Sequence, residues 1–382
     1  MSNVEIKKIV TIVGARPQFI KAAVVSRALN AYNSTNTSSL QEVVIHTGQH
    51  FDYNMSGIFF EELDIKKPDY HLGVQSGIHG HQTAQMWWRI EEVLLSERPD
   101  IVVVYGDTNS TIAGALAAAK LNVPIAHVEA GLRSFNRKMP EEINRVVTDH
   151  VSTLLFAPTK TAVSHLRTEG ICGHVYLTGD VMFDSIVHNV GKAELQSSII
   201  SKLRARKGKY VLATVHRSEN TDDSQRLVSI VEALSQIAGS EVLIWPLHPR
   251  TKNALSKFGI ITDNTNILFV EPLAYLDLLV LEKHARIILT DSGGIQKEAC
   301  WFGVPCITLR DETEWIETVE LGWNQLAGAK TLSILQAFAT ASPGRAATVG
   351  DAGAALRIVR HITDYLNLET SDPRQEDQVA SA

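Results

Sequence analysis

The stretch from Ile101 to Arg145 constrains this chain more than any other; it reads IVVVYGDTNSTIAGALAAAKLNVPIAHVEAGLRSFNRKMPEEINR. Two apolar runs, Ile101–Tyr105 and Pro124–Val128, are short, β-branched and bounded by turn residues. That is the pattern of parallel strands buried on both faces. Asn109–Leu121 between them is rich in Ala and Leu and predicts the crossover helix that parallel strands need. Each run leads into a carboxylate, Asp107 and Glu129, and Glu141-Glu142 opens the next helix. In an open parallel sheet the carboxyl ends of the strands face the ligand crevice. One βαβ unit therefore brings acids to one place, a costly arrangement unless they are hydrogen-bonded or used. For Glu141 and Glu142 a simpler account also stands, since acids in a first helical turn answer the helix dipole.

The chain has 382 residues, more than one ordinary core holds, and fits two domains of ~150–200 residues each. Its 36 basic and 42 acidic residues give a net charge of −6 with no basic block, which argues against nucleic acid. Cys172, Cys300 and Cys306 show neither a disulfide framework nor metal spacing, and point to a reducing cytoplasm. The apolar run before Arg16 is too short for a signal or membrane span, and no other stretch is long enough to span a membrane. The polar tail 369–382 is predicted to be disordered.

In the first half, Ile9–Gly14 reads as a strand and Gly14–Lys21 as its junction with a helix that has Pro17 at its first position. Such a junction offers free backbone N–H groups and a positive dipole end to an anion, and Arg16 and Lys21 add cations. A tight turn with two solvated cations is the alternative. The G-x-G-x-x-G fingerprint is missing, which argues against a conventional NAD site. Glu42–Thr47 is the next strand, followed by Gln49 and His50, the latter a ligand, a base or a structural residue. Met55–Leu63 reads as helix and Tyr70–Gly80 as loop; His71, His79 and His81 there have no Cys or acid to complete a metal set. Gln82–Ser96 is an amphipathic helix with a Met86, Trp87, Ile90, Val93, Leu94 stripe, and Trp88 on a neighbouring face is an interface candidate. Leu154–Ala157 and Val175–Thr178 are further strands.

In the second half, the strand Tyr210–Val215 runs into His216-Arg217, and Asp222–Ala238 reads as one helix. Val242–Pro246 leads to His248-Pro249-Arg250, and Ile267–Val270 to Glu271-Pro272-Leu273. Arg286–Thr290 ends in Asp291-Ser292-Gly293-Gly294-Ile295-Gln296-Lys297-Glu298. Ser292 can cap the helix there, the glycine pair lets backbone N–H groups approach a diphosphate, and Glu298 can accept from a ribose diol. Pro305–Leu309 is a strand, Arg310–Trp315 a charged loop, and Ser333–Ala339 and Ala352–Leu366 are closing helices.

Taken together, these runs strongly resemble the non-hydrolysing UDP-N-acetylglucosamine 2-epimerases. The matching runs are Gly14-Ala15-Arg16-Pro17 with Lys21, Gly106-Asp107-Thr108, the run His127–Arg133, Pro140-Glu141-Glu142-Ile143-Asn144-Arg145, the run His216–Asn220 and Asp291–Gln296. The resemblance implies an α/β chain of GT-B fold, two Rossmann-like domains with the active site in the inter-domain cleft. Their expected bounds are 1–180, joined by a C-terminal helix at about 352–368, and 181–351. It implies an isomerase that converts UDP-N-acetylglucosamine to UDP-N-acetylmannosamine: UDP leaves by anti elimination, a 2-acetamidoglucal stays bound, and UDP adds back. Such an enzyme serves cell-surface polysaccharide precursor synthesis. It needs no cofactor and no metal, and its partners are the UDP-sugar and a second copy in a homodimer, with no membrane and no nucleic acid.

By the same resemblance Asp107, Glu129, Glu141 and His216 are catalytic. Arg16, Lys21, Arg145, Pro272, Ser292, Gly293, Gly294 and Glu298 bind the UDP-sugar, while Gln49, His50, Arg217 and His248 belong to a second or regulatory site. Three departures stand out: Trp315 where the family pattern has arginine, Leu273 where it has glutamine, and Phe51-Asp52-Tyr53 after Gln49-His50. They are similar to the branch with UDP-2,3-diacetamido-2,3-dideoxy-glucuronate 2-epimerases, which makes a carboxylated substrate the alternative. A GT-B glycosyltransferase is a further reading, although it would not need three acids at the strand ends of one domain.

Overall fold

A computed structural model of the protein describes residues 6–35, 39–49, 66–75, 77–260, 266–345 and 351–368. The apolar runs form the central strands of two parallel sheets, where both faces are buried, and shorter, more exposed strands stand at the edges. In the first half the strands are β1 (Ile6–Val13), β2 (Ser39–His46), β3 (Tyr70–His71), β4 (Ile101–Tyr105), β5 (Ile125–Val128), β6 (Leu154–Ala157) and β7 (His174–Leu177). Every residue of β4, β5 and β6 is buried, which is why they alternate so little in polarity. The strands pair in parallel in the order β3-β2-β1-β4-β5-β6-β7. The order reverses between β1 and β4, so the carboxyl ends of these two strands flank the switch point where α/β sheets hold ligands.

The second half repeats the plan with β8 (Tyr210–Thr214), β9 (Val242–Pro246), β10 (Ile267–Val270), β11 (Ile287–Thr290), β12 (Cys306–Thr308) and β13 (Asn324–Leu326). They pair in parallel in the order β10-β9-β8-β11-β12-β13, with the switch point between β8 and β11. Trp245 and Leu243 of β9 and Leu234 and Ile237 of the helix Ser224–Ile237 are members of one buried core here. The chain divides into two compact units, Met1–Ser185 with Asp351–Ala382, and Ile186–Gly350.

The C-terminal helix Ala354–Leu368 belongs to the first unit because its start is anchored there. Asp184 accepts from Gly353 N (2.7 Å) and Ala355 N (2.8 Å), and Arg357 Nε donates to the Thr178 carbonyl (2.7 Å). Ile358, Ile362 and Leu366, spaced at four residues, are buried, and the helix packs on the helix Arg16–Thr35.

Several local expectations need correction. The first helix begins at Arg16, so Pro17 is its second residue. Residues 70–80 are not all loop: Tyr70–His71 pairs with β2, and a helix runs from His79 to Glu97. In that helix Met86, Ile90, Val93 and Leu94 are buried, Trp87 is partly so, and Trp88 is 62 % exposed. The helix expected over Asp222–Ala238 runs as one piece from Ser224 to Ile237, and a short helix that the sequence reading lacked, Ser218–Thr221, precedes it. Asp223 divides them because its carboxylate caps the longer one, accepting from Gln225 N (2.8 Å) and Arg226 N (3.1 Å). His50, the helix expected over Met55–Leu63 and the tail 369–382 lie outside the described residues. Among the described residues no helix is long and apolar enough to cross a membrane.

Candidate active site

In the first unit the site grows from the ends of β1, β4 and β5. After β1, the expected free N–H groups of Gly14 and Ala15 are already taken: both donate to Gln18 Oε1, at 2.8 and 3.1 Å. Gln18 Nε2 in turn donates to the Tyr105 carbonyl and Thr111 Oγ1, both at 3.0 Å, tying this turn to the end of β4. What the turn offers an anion is therefore its cations. Arg16, partly exposed, stands at the helix start, and Lys21, one turn on, is buried and ion-paired to Glu129.

Glu129 follows β5 with φ 75°, a left-handed conformation costly for a residue with a side chain, of order 1–3 kcal/mol. Backbone bonds hold it there, since Glu129 N and Ala130 N both donate to the Phe156 carbonyl (3.1 Å). Gly106 lies against the pair. Its φ of 63° is a left-handed conformation that favours glycine, and a methyl group on it would come 3.2 Å from Lys21 Nζ and 3.3 Å from Glu129 Oε2. Asp107, next in the chain, accepts from Arg145 Nη2 at 2.5 Å, and its own carbonyl accepts from Asn144 Nδ2 at 2.9 Å. Arg145 also reaches Glu142, with Nη1 to Oε2 at 3.1 Å. The helix Pro140–Val151 thus delivers Arg145 and Asn144 to Asp107.

Of the two acids in that helix's first turn, Glu142 is the buried one, accepting from Ser134 N and Phe135 N at 2.9 Å. Glu141 is partly exposed. Gln49 lies against the helix Asn109–Lys120 that follows Asp107: its Oε1 accepts from Ser110 N (3.2 Å) and Ser110 Oγ (2.8 Å).

In the second unit the ends of β8 and β11 meet at Asp291, which is fully buried. Its carboxylate accepts from His216 N (3.0 Å), Arg217 N (2.9 Å) and Asn220 Nδ2 (3.1 Å). Asp291 therefore shapes the turn that carries His216, whose ring lies 5.4 Å from that of His248. His248 caps the helix Pro249–Lys257, its Nδ1 accepting from Arg250 N at 3.1 Å. Ser292 caps the helix Gly293–Phe302 by accepting from Ile295 N at 3.5 Å. A methyl group on Gly293 would stand 3.3 Å from Trp315 Nε1 and 3.8 Å from Arg217 Nη2. The glycine turn is thus overhung by an indole N–H and a guanidinium. Lys297, buried on the same helix, sits 3.7 Å over the centre of the Trp315 ring. Glu298 is buried beside it, and Pro272 is partly exposed after β10.

The first unit brings Lys21, Glu129, Asp107 and Arg145 together; the second brings His216, Arg217, Ser292 and Gly293 around Asp291. Sequence reasoning gave no role to Asp291, Gln18, Asn144 or Lys297. Asp291 and Lys297 carried a signal, a carboxylate at a strand end and a cation on a capped helix; Gln18 and Asn144 carried none. Among the described residues no group of His, Cys, Asp and Glu is placed to hold a metal ion.

The sequence and fold are similar to those of known proteins. The family model for UDP-N-acetylglucosamine 2-epimerase matches residues 33–363. A UDP-N-acetylglucosamine 2-epimerase homolog of Methanococcus maripaludis is 52 % identical over 340 residues, 88 % of this chain and 93 % of the relative. The UDP-2,3-diacetamido-2,3-dideoxy-D-glucuronate 2-epimerase of Pseudomonas aeruginosa is 50 % identical over 337 residues, 87 % of this chain and 92 % of the relative. The crystal structure of Methanocaldococcus jannaschii UDP-GlcNAc 2-epimerase with UDP-GlcNAc and UDP is similar at TM-score 0.86 and 44 % identity, covering 94 % of this chain and all of that one. The chain belongs to the non-hydrolysing UDP-N-acetylglucosamine 2-epimerase family, enzymes that invert C2 of UDP-N-acetylglucosamine-type sugars by eliminating UDP and adding it back.

Proposed function

We propose that the protein converts UDP-N-acetylglucosamine to UDP-N-acetylmannosamine, with proton transfer at C2 assigned to the first unit and the diphosphate to cations of both. The observation that carries this reading is the pair of ion-paired carboxylates, Lys21–Glu129 and Arg145–Asp107, at adjacent strand ends. A base removes the C2 proton, the C1–oxygen bond to UDP breaks, and a C1=C2 double bond forms. Return of UDP to C1 with a proton to the opposite face of C2 completes the inversion. The step needs an acid or base on each face of the sugar and cations on the departing diphosphate. Asp107, Glu129 and Glu141 supply the first. Arg16, Lys21, Arg145, His216 and the Ser292-Gly293-Gly294 turn supply the second, with Glu298 on the ribose and Pro272 beside the base.

We further propose that the two Rossmann-like units are the halves of a GT-B enzyme that hold one UDP-sugar in the cleft between them. Gln49, Arg217 and His248 would then serve the substrate or a second nucleotide sugar. The assembly we expect is a cytoplasmic homodimer supplying polysaccharide precursors, and the three unpaired cysteines suit that compartment.

A second reading, a 2,3-diacetamido uronic acid as the sugar, is favoured by Trp315, buried over Lys297 where the family pattern carries an arginine. Proton NMR of the full chain with each UDP-sugar in D2O tests both. The true substrate yields two C2 epimers and deuterium at C2; if neither sugar exchanges its C2 hydrogen, the proposal is wrong.

A further inference from the structure

Beneath the strand ends that carry Asp107 and Glu129 lies a charged network with no part in the roles above. His127, third residue of β5, is fully buried. Its Nδ1 lies 2.7 Å from Asp149 Oδ1, and its Nε2 lies 2.7 Å from the Gly106 carbonyl oxygen. A carbonyl oxygen can only accept. Asp149 is also an acceptor on both oxygens, because Gly131 N (3.1 Å) and Arg133 Nη1 (2.7 Å) donate to the second. Burial alone would raise the pKa of Asp149, but hydrogen bonds and charge from His127 and Arg133 outweigh it and hold the group below the usual carboxylate value. The ring thus bridges two acceptors, the Asp149 carboxylate at Nδ1 and the Gly106 carbonyl at Nε2. Arg133 closes the network by gripping Glu169 with Nε (2.8 Å) and Nη2 (2.7 Å). Such a buried charged set is weak evidence for stability as such.

What the network does fix is position. Gly106 and Glu129 both have positive φ (63° and 75°), beyond the regular ladder of their strands. The Gly106 N–H donates to the Val128 carbonyl (3.0 Å) and its carbonyl accepts from His127, so both of its backbone polar groups are held. Asp107 follows that peptide directly. On the other side Asp149 holds the amide of Gly131, two residues after Glu129.

We propose that His127 is a positioning residue for the epimerase reaction, fixing Asp107 through the Gly106 carbonyl and Glu129 through Asp149 and the Gly131 amide. The inference rests on the function proposed above, in which those two carboxylates work at C2. A small displacement of such a group costs on the order of 10²-fold in rate, which makes so costly a network worth keeping.

Two substitutions separate the two arms of the ring. His127→Gln places an amide donor where Nε2 stands, toward Gly106, while His127→Asn places one where Nδ1 stands, toward Asp149. We expect His127→Asn, which leaves the Gly106 carbonyl unanswered, and His127→Gln, which leaves Asp149 without the ring, each to lower kcat about 10- to 100-fold while KM and the Kd for UDP stay within about threefold. Rates are counted per UDP-binding site, so loss of folded protein does not enter. Equal wild-type kcat in both variants would overturn the proposal. Should the variants fail to fold, 15N NMR of histidine-labelled wild-type enzyme decides. A buried ring hydrogen-bonded at both nitrogens supports the inference, and spectra in which no buried ring is bonded at both overturn it. Wild-type enzyme that exchanges no C2 hydrogen would instead fail the epimerase reading itself, a result distinct from an active wild type matched by its His127→Asn variant.

Discussion

In the first unit the carboxylates at the strand ends reach side-chain cations: Glu129 to Lys21, Asp107 to Arg145. In the second unit the corresponding carboxylate, Asp291 at the end of β11, is turned inward onto backbone N–H groups of His216 and Arg217. The strand order around the switch point is the same in both. One architecture therefore supports two kinds of strand end. An acid whose partner is a side chain can exchange that partner for substrate during a reaction. An acid locked to three N–H donors cannot, and instead fixes the backbone and side chains around it. The first arrangement suits proton transfer and the second suits holding an anion against a glycine turn.

Glu129→Gln is the strongest way to test the first half of that contrast. It keeps the shape and removes the charge, so C2 deuterium exchange should fall by about 10²–10⁴-fold. UDP affinity, measured by calorimetry, should stay close to wild type. An unchanged exchange rate would remove Glu129 from proton transfer. Asp291→Ala tests the other half. It leaves His216 N, Arg217 N and Asn220 Nδ2 without their acceptor in a buried place, and should lower stability to denaturant by about 3 kcal/mol or more. If the variant is as stable as wild type but inactive, Asp291 faces substrate and the contrast between the units is false.

How far the sequence reveals this contrast depends on the length of the chain segment that decides it. Strands β4, β5, β8 and β11 are legible because burial on both faces makes them continuous apolar runs. Strand β13, Asn-Gln-Leu, is not: its Asn324 is buried and answered by Gln296 and Thr308, partners that no local pattern reveals. The same limit applies to the site. Asp107 and Glu129 stand out because the strand-end rule is local. His127 reads as one more residue of an apolar strand, since its partner Asp149 is 22 positions away on a helix. Gln18 shows the converse error: the Gly-Ala-Arg-Pro turn looks like a free anion cradle until a side chain four residues along is seen to fill it.

That last finding moves the burden of anion binding from backbone to side chain and sharpens the next expectation. If Arg16 makes a charge-assisted contact to the diphosphate, Arg16→Ala should weaken UDP binding by ~1.5–3 kcal/mol, read as a Kd by calorimetry. A larger share on the backbone N–H groups would leave the Kd nearly unaltered, and the Gln18 contacts would then have to open on binding.

The smallest effect expected is one of pH, and it also separates the units. His361, on the C-terminal helix, stacks on Tyr176 at 3.8 Å in the first unit. Burial pushes its pKa below 6.5, against a smaller opposing pull from Asp364. The unfolded chain therefore takes up this proton at a higher pH than the native one. The contribution to stability is complete above about pH 6.5 and declines as pH falls from there toward the native value. In the second unit Glu194 accepts from His284 Nε2 at 2.7 Å and pairs with Lys283 at 3.0 Å. Burial acts to raise its pKa, but these partners bring it down from 4.5 to about 2, so its contribution is complete above pH 4.5 and is lost only below. Between pH 6.5 and 4.5 the docking of helix Ala354–Leu368 should weaken while the Glu194 joint keeps its full strength. Amide hydrogen exchange, corrected for its intrinsic pH dependence, should show lower protection in 354–368 at pH 5 than at pH 7.5. In His361→Phe that change should vanish, because the stacked ring remains and the titrating nitrogen is gone. Equal protection at both pH values in the wild type would mean that His361 is protonated as readily in the folded chain as in the unfolded one, and that acid does not distinguish the two units through this contact.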